Sequence, residues 1–170
     1  SNGQRKGMSK KKNEKSDEYE KALKEAKDKA IETIDSYILG YNDYIDRTVY
    51  VKLIIAATTI EQVEAELIAA ASAIETAKAV YNALIAVKDQ AVATLEYYLE
   101  ELKKVAKEEV YNAYSKAVIA YNKAIEVAKT IEEVSKVVVD ATVEFTKNLM
   151  LDVEDEIKLK AEKVALGYAK

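Results

Sequence analysis

Six basic side chains, Arg5, Lys6, Lys10, Lys11, Lys12 and Lys15, fall within the first fifteen residues against a single acid, Glu14. That local balance of +5 belongs to a chain of formal net charge -4, so residues 16–170 carry the remaining -9. Clustered lysine and arginine can do one kind of chemistry well. They contact phosphate oxygens without reading bases, and their affinity comes from counterion release. No aromatic residue interleaves with the six, so stacking on single strands is not expected and the backbone of double-stranded DNA is the natural partner.

The carboxylates are the other chemistry-bearing groups. Glu154, Asp155 and Glu156 cluster where a last helix is expected to start, and would there complement its dipole. Glu100 with Glu101, and Glu108 with Glu109, lie beside lysines and read as solvated salt-bridge faces. General acid–base catalysis needs two carboxylates held in a cleft with separated pKa values, and nothing in the sequence points to a cleft. The chain has no cysteine and no histidine. Disulfides, thiolate nucleophiles, histidine bases and histidine metal sites are thereby excluded. A phosphate-binding glycine loop, a nucleophile elbow and zinc-type spacing are missing too. Neither enzymatic activity, a cofactor, a metal nor a small-molecule substrate is expected.

These groups must be carried by helices. The 170 residues include no proline and four glycines, with Ala, Lys, Glu, Val and Ile prominent. Such a composition favours helix throughout. Hydrophobic residues make up 49%, enough for a core. The apolar runs Leu53–Ala57 and Leu67–Ala71 fall far short of the ~20 residues that span a bilayer. The basic N-terminal stretch has no apolar segment behind it, so no signal peptide is expected, and Met8 is a candidate native start. Scarce Asn, Gln and Met beside abundant Lys and Glu match the bias of thermophile proteins.

Residues 1–16 are polar and lack an apolar period, so alone in water they should be disordered. From Asp17 a helix is expected, because Tyr19, Leu23, Ala26, Ala30, Ile34 and Ile38 recur at threes and fours. Gly40 should end it. Thr59-Ile-Glu-Gln62 and Thr130-Ile-Glu-Glu133 are capping boxes, in which Gln62 or Glu133 would reach back to the N–H of the cap threonine. Helices should restart at both threonines. Asp152, followed by Val153, Ile157, Ala161 and Val164 at helical spacing, should start a last helix. Weaker breaks are expected near Lys104–Lys107 and at Asp89. In "VYNAYSKAVIAYNKAIEVA" (110–128), Val110, Tyr114, Ala117, Tyr121, Ala124, Ile125 and Ala128 share a face. Tyr-Asn at 41, 81, 111 and 121 reads as the rim of a core. The result is an all-α antiparallel bundle of five or six helices over residues 17–170, with a basic arm at 1–16.

"AKDKAIETIDSYI" (26–38) aligns with "VKDQAVATLEYYL" (87–99), and "AATTIEQV" (56–63) with "VAKTIEEV" (127–134). The offsets are 61 and 71, so the later unit holds about ten extra residues. Duplication of a three-helix unit is one explanation, and chance similarity in a helix-biased composition is the other.

Two family resemblances follow. The basic "QRKGMSKKK" (4–12), the long helix over 17–39 and the Cys-free, His-free helical body resemble the major capsid proteins of filamentous viruses of hyperthermophilic archaea. That resemblance implies an all-α virion subunit whose N-terminal segment wraps double-stranded DNA, and which self-associates or joins a related second subunit in a helical filament. "YNKAIEVAKTIEEVSKVVVDA" (121–141) and "KEAKDKAIETIDSY" (24–37) are similar to bacterial albumin-binding three-helix modules. This second likeness covers about a third of the chain. It implies a cell-surface or cytoplasmic protein that binds a protein partner, and it assigns no binding residue. The leading expectation is the DNA-packaging coat subunit, with the six basic residues of the arm on phosphate. The helical protein-binding module is the alternative.

Overall fold

The computed structural model describes the backbone of residues 2–168 and the side chains of residues 14–151 and 154–167. The described residues form five helices: α1 (Asn2–Ile38), α2 (Thr48–Ala56), α3 (Ile60–Val105), α4 (Glu108–Val127) and α5 (Ile131–Tyr168). No strand occurs among the described residues. The all-α architecture is therefore as the composition requires.

Several boundaries follow from single residues. Gly40 adopts φ +88, the left-handed conformation that costs glycine nothing, and α1 stops at Ile38. The position 61 residues later is Glu101, and there α3 continues to Val105. The break expected near Lys104–Lys107 falls at Ala106 and Lys107, between α3 and α4. The two capping boxes also start helices. Gln62 N–H donates to Thr59 Oγ1 at 3.0 Å, and Glu133 N–H donates to Thr130 Oγ1 at 3.1 Å. Their return bonds differ from expectation by one residue. Gln62 Oε1 accepts from the N–H of Thr58 at 2.9 Å, and Glu133 Oε2 from the N–H of Lys129 at 2.7 Å. The residues before them are extended, Ala57 at φ -62, ψ 139 and Ala128 at φ -61, ψ 138, which sets the cap amide one position back. Replacing Thr59 or Thr130 by alanine should each lower stability by about 1 kcal/mol, the size of a lost N-cap. Thermal melts of the two variants check this, and unchanged melting in both would show that the return bonds alone hold the breaks.

Three expectations are corrected. Asp89 starts no helix, because α3 runs through it, and Asp152 starts none, because α5 is continuous from Ile131. Without a neighbouring glycine or proline, one aspartate costs a helix only a fraction of a kilocalorie, which the flanking Ala, Leu, Lys and Glu outweigh. The basic segment expected to lack regular structure continues α1 back to Asn2. Elongating an existing helix fixes one residue per hydrogen bond, whereas nucleating a separate one fixes several, so Gln, Arg and Lys residues follow the helix already formed.

The chain divides into two compact units, Ser1–Tyr81 and Asn82–Lys170, and the division falls inside α3. In the first, Ala30, Ile34 and Ile38 of α1 pack with Val51 and Ile54 of α2 and Val63, Ala70 and Ile74 of α3. In the second, Leu84, Ala91, Leu95 and Leu102 of α3 pack with Tyr114, Val118 and Ile125 of α4 and Val134, Ala141 and Phe145 of α5. Each unit is thus three helices around its own core. Neighbouring helices run antiparallel: Asp35 near the end of α1 meets Arg47 at the start of α2, and Lys27 further back meets Ile55 near its end. On α4 the shared face is centred on Tyr114, Val118 and Ile125, with Val110 and Tyr121 at its edge. Tyr41, Tyr81, Tyr111 and Tyr121 are all half-buried, as rim residues should be.

Seven buried positions of the first core recur in the second. Ala30, Ile34 and their counterparts 61 residues on, Ala91 and Leu95, are all buried. So are Ile54, Ala57, Val63, Ala70 and Ile74 with their counterparts 71 residues on, Ile125, Ala128, Val134, Ala141 and Phe145. The middle helix of the second unit has 20 residues where α2 has 9, and the helix before it runs on to Val105, past Leu99, the counterpart of Ile38.

Candidate interaction surfaces

The middle helix of each unit is fixed by the same polar device. Lys27 Nζ donates to the carbonyl of Ile55 at 2.6 Å, and Lys88 Nζ donates to that of Glu126 at 2.8 Å. Both carbonyls belong to the last turn of a helix, where they lack intrahelical partners and carry the negative end of the dipole. A lysine from the preceding helix satisfies both needs. The two lysines occupy the same column of the internal alignment, so the signal was present in the sequence although its meaning was not.

In the first unit, two more anchors hold α2. The Arg47 guanidinium grips Asp35 through two hydrogen bonds of 2.7 and 3.1 Å, and Asp46 Oδ1 accepts the N–H of Thr48 at 3.0 Å. The bond from Arg47 holds the Asp35 carboxyl below its ordinary value, and the bond from the Thr48 backbone does the same for Asp46. Tyr19, 42% exposed, accepts the N–H of Ile60 on its hydroxyl at 3.0 Å and so ties α1 to the first turn of α3. Tyr81 lies against Tyr44, with centroids 4.5 Å apart, and edge-on to Tyr41 at 5.7 Å. Lys78 Nζ sits 5.2 Å from the Tyr41 ring. The turn before α2 is thus pinned from both sides.

What these anchors present is apolar. Of the nine residues of α2, only Val51 and Ile54 are buried. Val49, Leu53 and Ile55 are exposed, as is Leu39 in the preceding turn. Val49 and Leu53, four apart, share one face. The middle helix of the second unit likewise exposes Ile119 and Val127. The sequence "VYVKLIIA" could have shown this, since so short a helix cannot bury every apolar residue in it.

The basic arm stands differently. The side chains of Arg5, Lys6, Lys10, Lys11 and Lys12 lie outside the described residues, while Lys15 is exposed on α1. Lys21, Lys24 and Lys29 continue that exposure, whereas Lys27 is occupied by the Ile55 carbonyl. Glu154, Asp155 and Glu156 fall in the middle of α5 rather than at a helix start, and Asp155 pairs with Lys107 at 3.2 Å. Glu101 pairs with Lys104 at 3.1 Å. Glu108 and Glu109 occupy the first turn of α4, where they favour its dipole. Among the described residues, no group of three Asp or Glu could hold a metal ion, and no helix is long and apolar enough to cross a membrane. Comparison with protein-family models, with curated proteins and with solved structures finds no match.

Proposed function

We propose that this chain is a helical protein-binding module without catalytic function, made of two three-helix units in tandem that recognise a protein partner. One observation carries the reading. Both units are built on the same lysine-to-carbonyl anchor, the same capped junction and the same buried positions, and both turn apolar residues of the middle helix to solvent. Exposed apolar side chains on a rigidly anchored helix suit recognition by a complementary apolar groove. Two such units on one chain add avidity without any new contact. The likeness to albumin-binding three-helix modules supports a protein ligand at a cell surface.

The coat-subunit reading has its own support in the lysines exposed along α1, Lys15, Lys21, Lys24 and Lys29, next to the basic residues 5–12. One titration separates the two. Serum albumin and a duplex DNA of arbitrary sequence are each offered to the full chain by calorimetry at low and high salt. Albumin should bind, and Leu53→Asp should weaken that binding roughly tenfold, as loss of an apolar anchor does, with unchanged circular dichroism. If albumin is ignored and DNA binds with a log–log salt slope of about -5, the phosphate-binding arm is the functional element instead.

A further inference from the structure

α5 carries two apolar faces. One packs into the second unit through Val134, Ala141 and Phe145. On the opposite side Val139, Val143, Met150, Ile157 and Val164 are between 49% and 62% exposed. Four of these recur every seven residues, at 143, 150, 157 and 164, and Val139 lies one turn before Val143. Positions seven apart drift by only ~20° around a helix, so the row stays on one face. From Val139 to Val164 it runs about 37 Å, at 1.5 Å per residue. An apolar row of that length offers a second helix a line of side chains to pack on, and within this chain its residues stay open to solvent.

We propose that two copies of this chain pair antiparallel along this face of α5, about a two-fold axis at Met150. The charges beside the seam choose the occupant and its direction. Lys147 and Glu154 flank the row on the same side, one turn before and one turn after Met150. In an antiparallel pair, Lys147 of each copy meets Glu154 of the other, so the ion pair forms twice. In a parallel pair, their neighbours across the seam are Thr142 and Leu149, and no opposite charges meet. The apolar register agrees with the charges. With Met150 on Met150, Val143 falls opposite Ile157 and Val139 opposite Ala161. A shallow groove of about 330 Å³ lined by Thr146, Lys147, Met150, Leu151 and Glu154 lies at the proposed axis. The flexible methionine of a second copy can fill it. The interface is isologous and closed, so it gives a dimer and no further growth. It shares no residue with the exposed faces of α2 and α4.

The chain has no cysteine of its own, which makes cross-linking decisive. Sedimentation equilibrium of the full chain should give twice the 18.9 kDa chain mass. Ile157→Asp should return it to the monomer with its helical circular dichroism intact, since Ile157 is 62% exposed and packs on no core. Under mild oxidation Met150→Cys should cross-link to its own copy. Val143→Cys and Ile157→Cys should each fail alone and succeed when mixed. Lys147→Glu should weaken the dimer, and adding Glu154→Lys should restore it. A wild-type monomer at every concentration overturns the proposal. So does efficient self-cross-linking of Val143→Cys, which would mean a parallel pair.

Discussion

Tyr114→Ala should cost about 3–5 kcal/mol and unfold the second unit well before the first. Among the described residues Tyr114 is the largest fully buried side chain, 1% exposed, and it sits on α4 in the core that α3 and α5 share. Its ring lies 6.2 Å from that of Phe145, and its hydroxyl donates to the Ala141 carbonyl at 2.9 Å. Burial pushes the phenol above its ordinary pKa, so it remains a neutral donor throughout the accessible range. Alanine therefore removes a ring's worth of contacts and leaves a cavity that three helices cannot close together. Tyr114→Phe is the control: it keeps the volume, loses the hydrogen bond and should cost about 1 kcal/mol. Urea unfolding followed by amide exchange reads both values and places them. Loss of protection should appear first in α4 and α5. Equal costs for the two variants would mean that the bond, rather than the packing, carries the site.

Ile54→Ala should cost about 2–5 kcal/mol, and its effect should centre on α2. Nine residues are too few for a helix to persist alone, since isolated helices need roughly 12–15 residues even in favourable sequences. α2 therefore depends on its two buried side chains, and Ile54 is the one with no exposure at all. The Lys27 bond to Ile55 and the Asp35–Arg47 pair are exposed at its ends and cannot replace that packing. Amide exchange should show Val51 to Ala57 losing protection while α4 is unaffected. Because the same change disorders Val49, Leu53 and Ile55, albumin binding should fall to what the Ile119 and Val127 face of the second unit supports alone. Undiminished binding would move the first unit's surface elsewhere.

How much was legible varies with the kind of signal. Gly40, Thr59 and Thr130 act within one turn of themselves, through a left-handed φ and two hydroxyl caps, so local reading placed those boundaries. Asp89 and Asp152 look similar but cap nothing, because an aspartate caps a helix only where its own backbone leaves the helical conformation, and both lie inside continuous helices. That condition depends on packing: Ala57 and Ala128 are buried in extended conformation ahead of their threonines. The face of α1 was legible from Leu23 to Ile38 because only one side of it is apolar. On α5 the core row and the seam are interleaved in one sequence, and periodicity alone could not separate them. The candidate surfaces were the least legible part. Lys27 and Lys88 look like any surface lysines until the partner carbonyls, 28 and 38 residues away, are in place.

α3 belongs to both units, closing the first and opening the second. Two domains joined by a linker each meet the cost of their own first helical turn. Here that cost is met once for the helix the two units share. When α3 forms from Ile60, its elongation past Tyr81 delivers to the second unit a helical surface bearing Leu84, Ala91 and Leu95, against which α4 and α5 can form. The second unit can begin from Leu102 and hand the same advantage back. Growth of α3 from either end therefore assists the other unit, as neighbours do in a one-dimensional array.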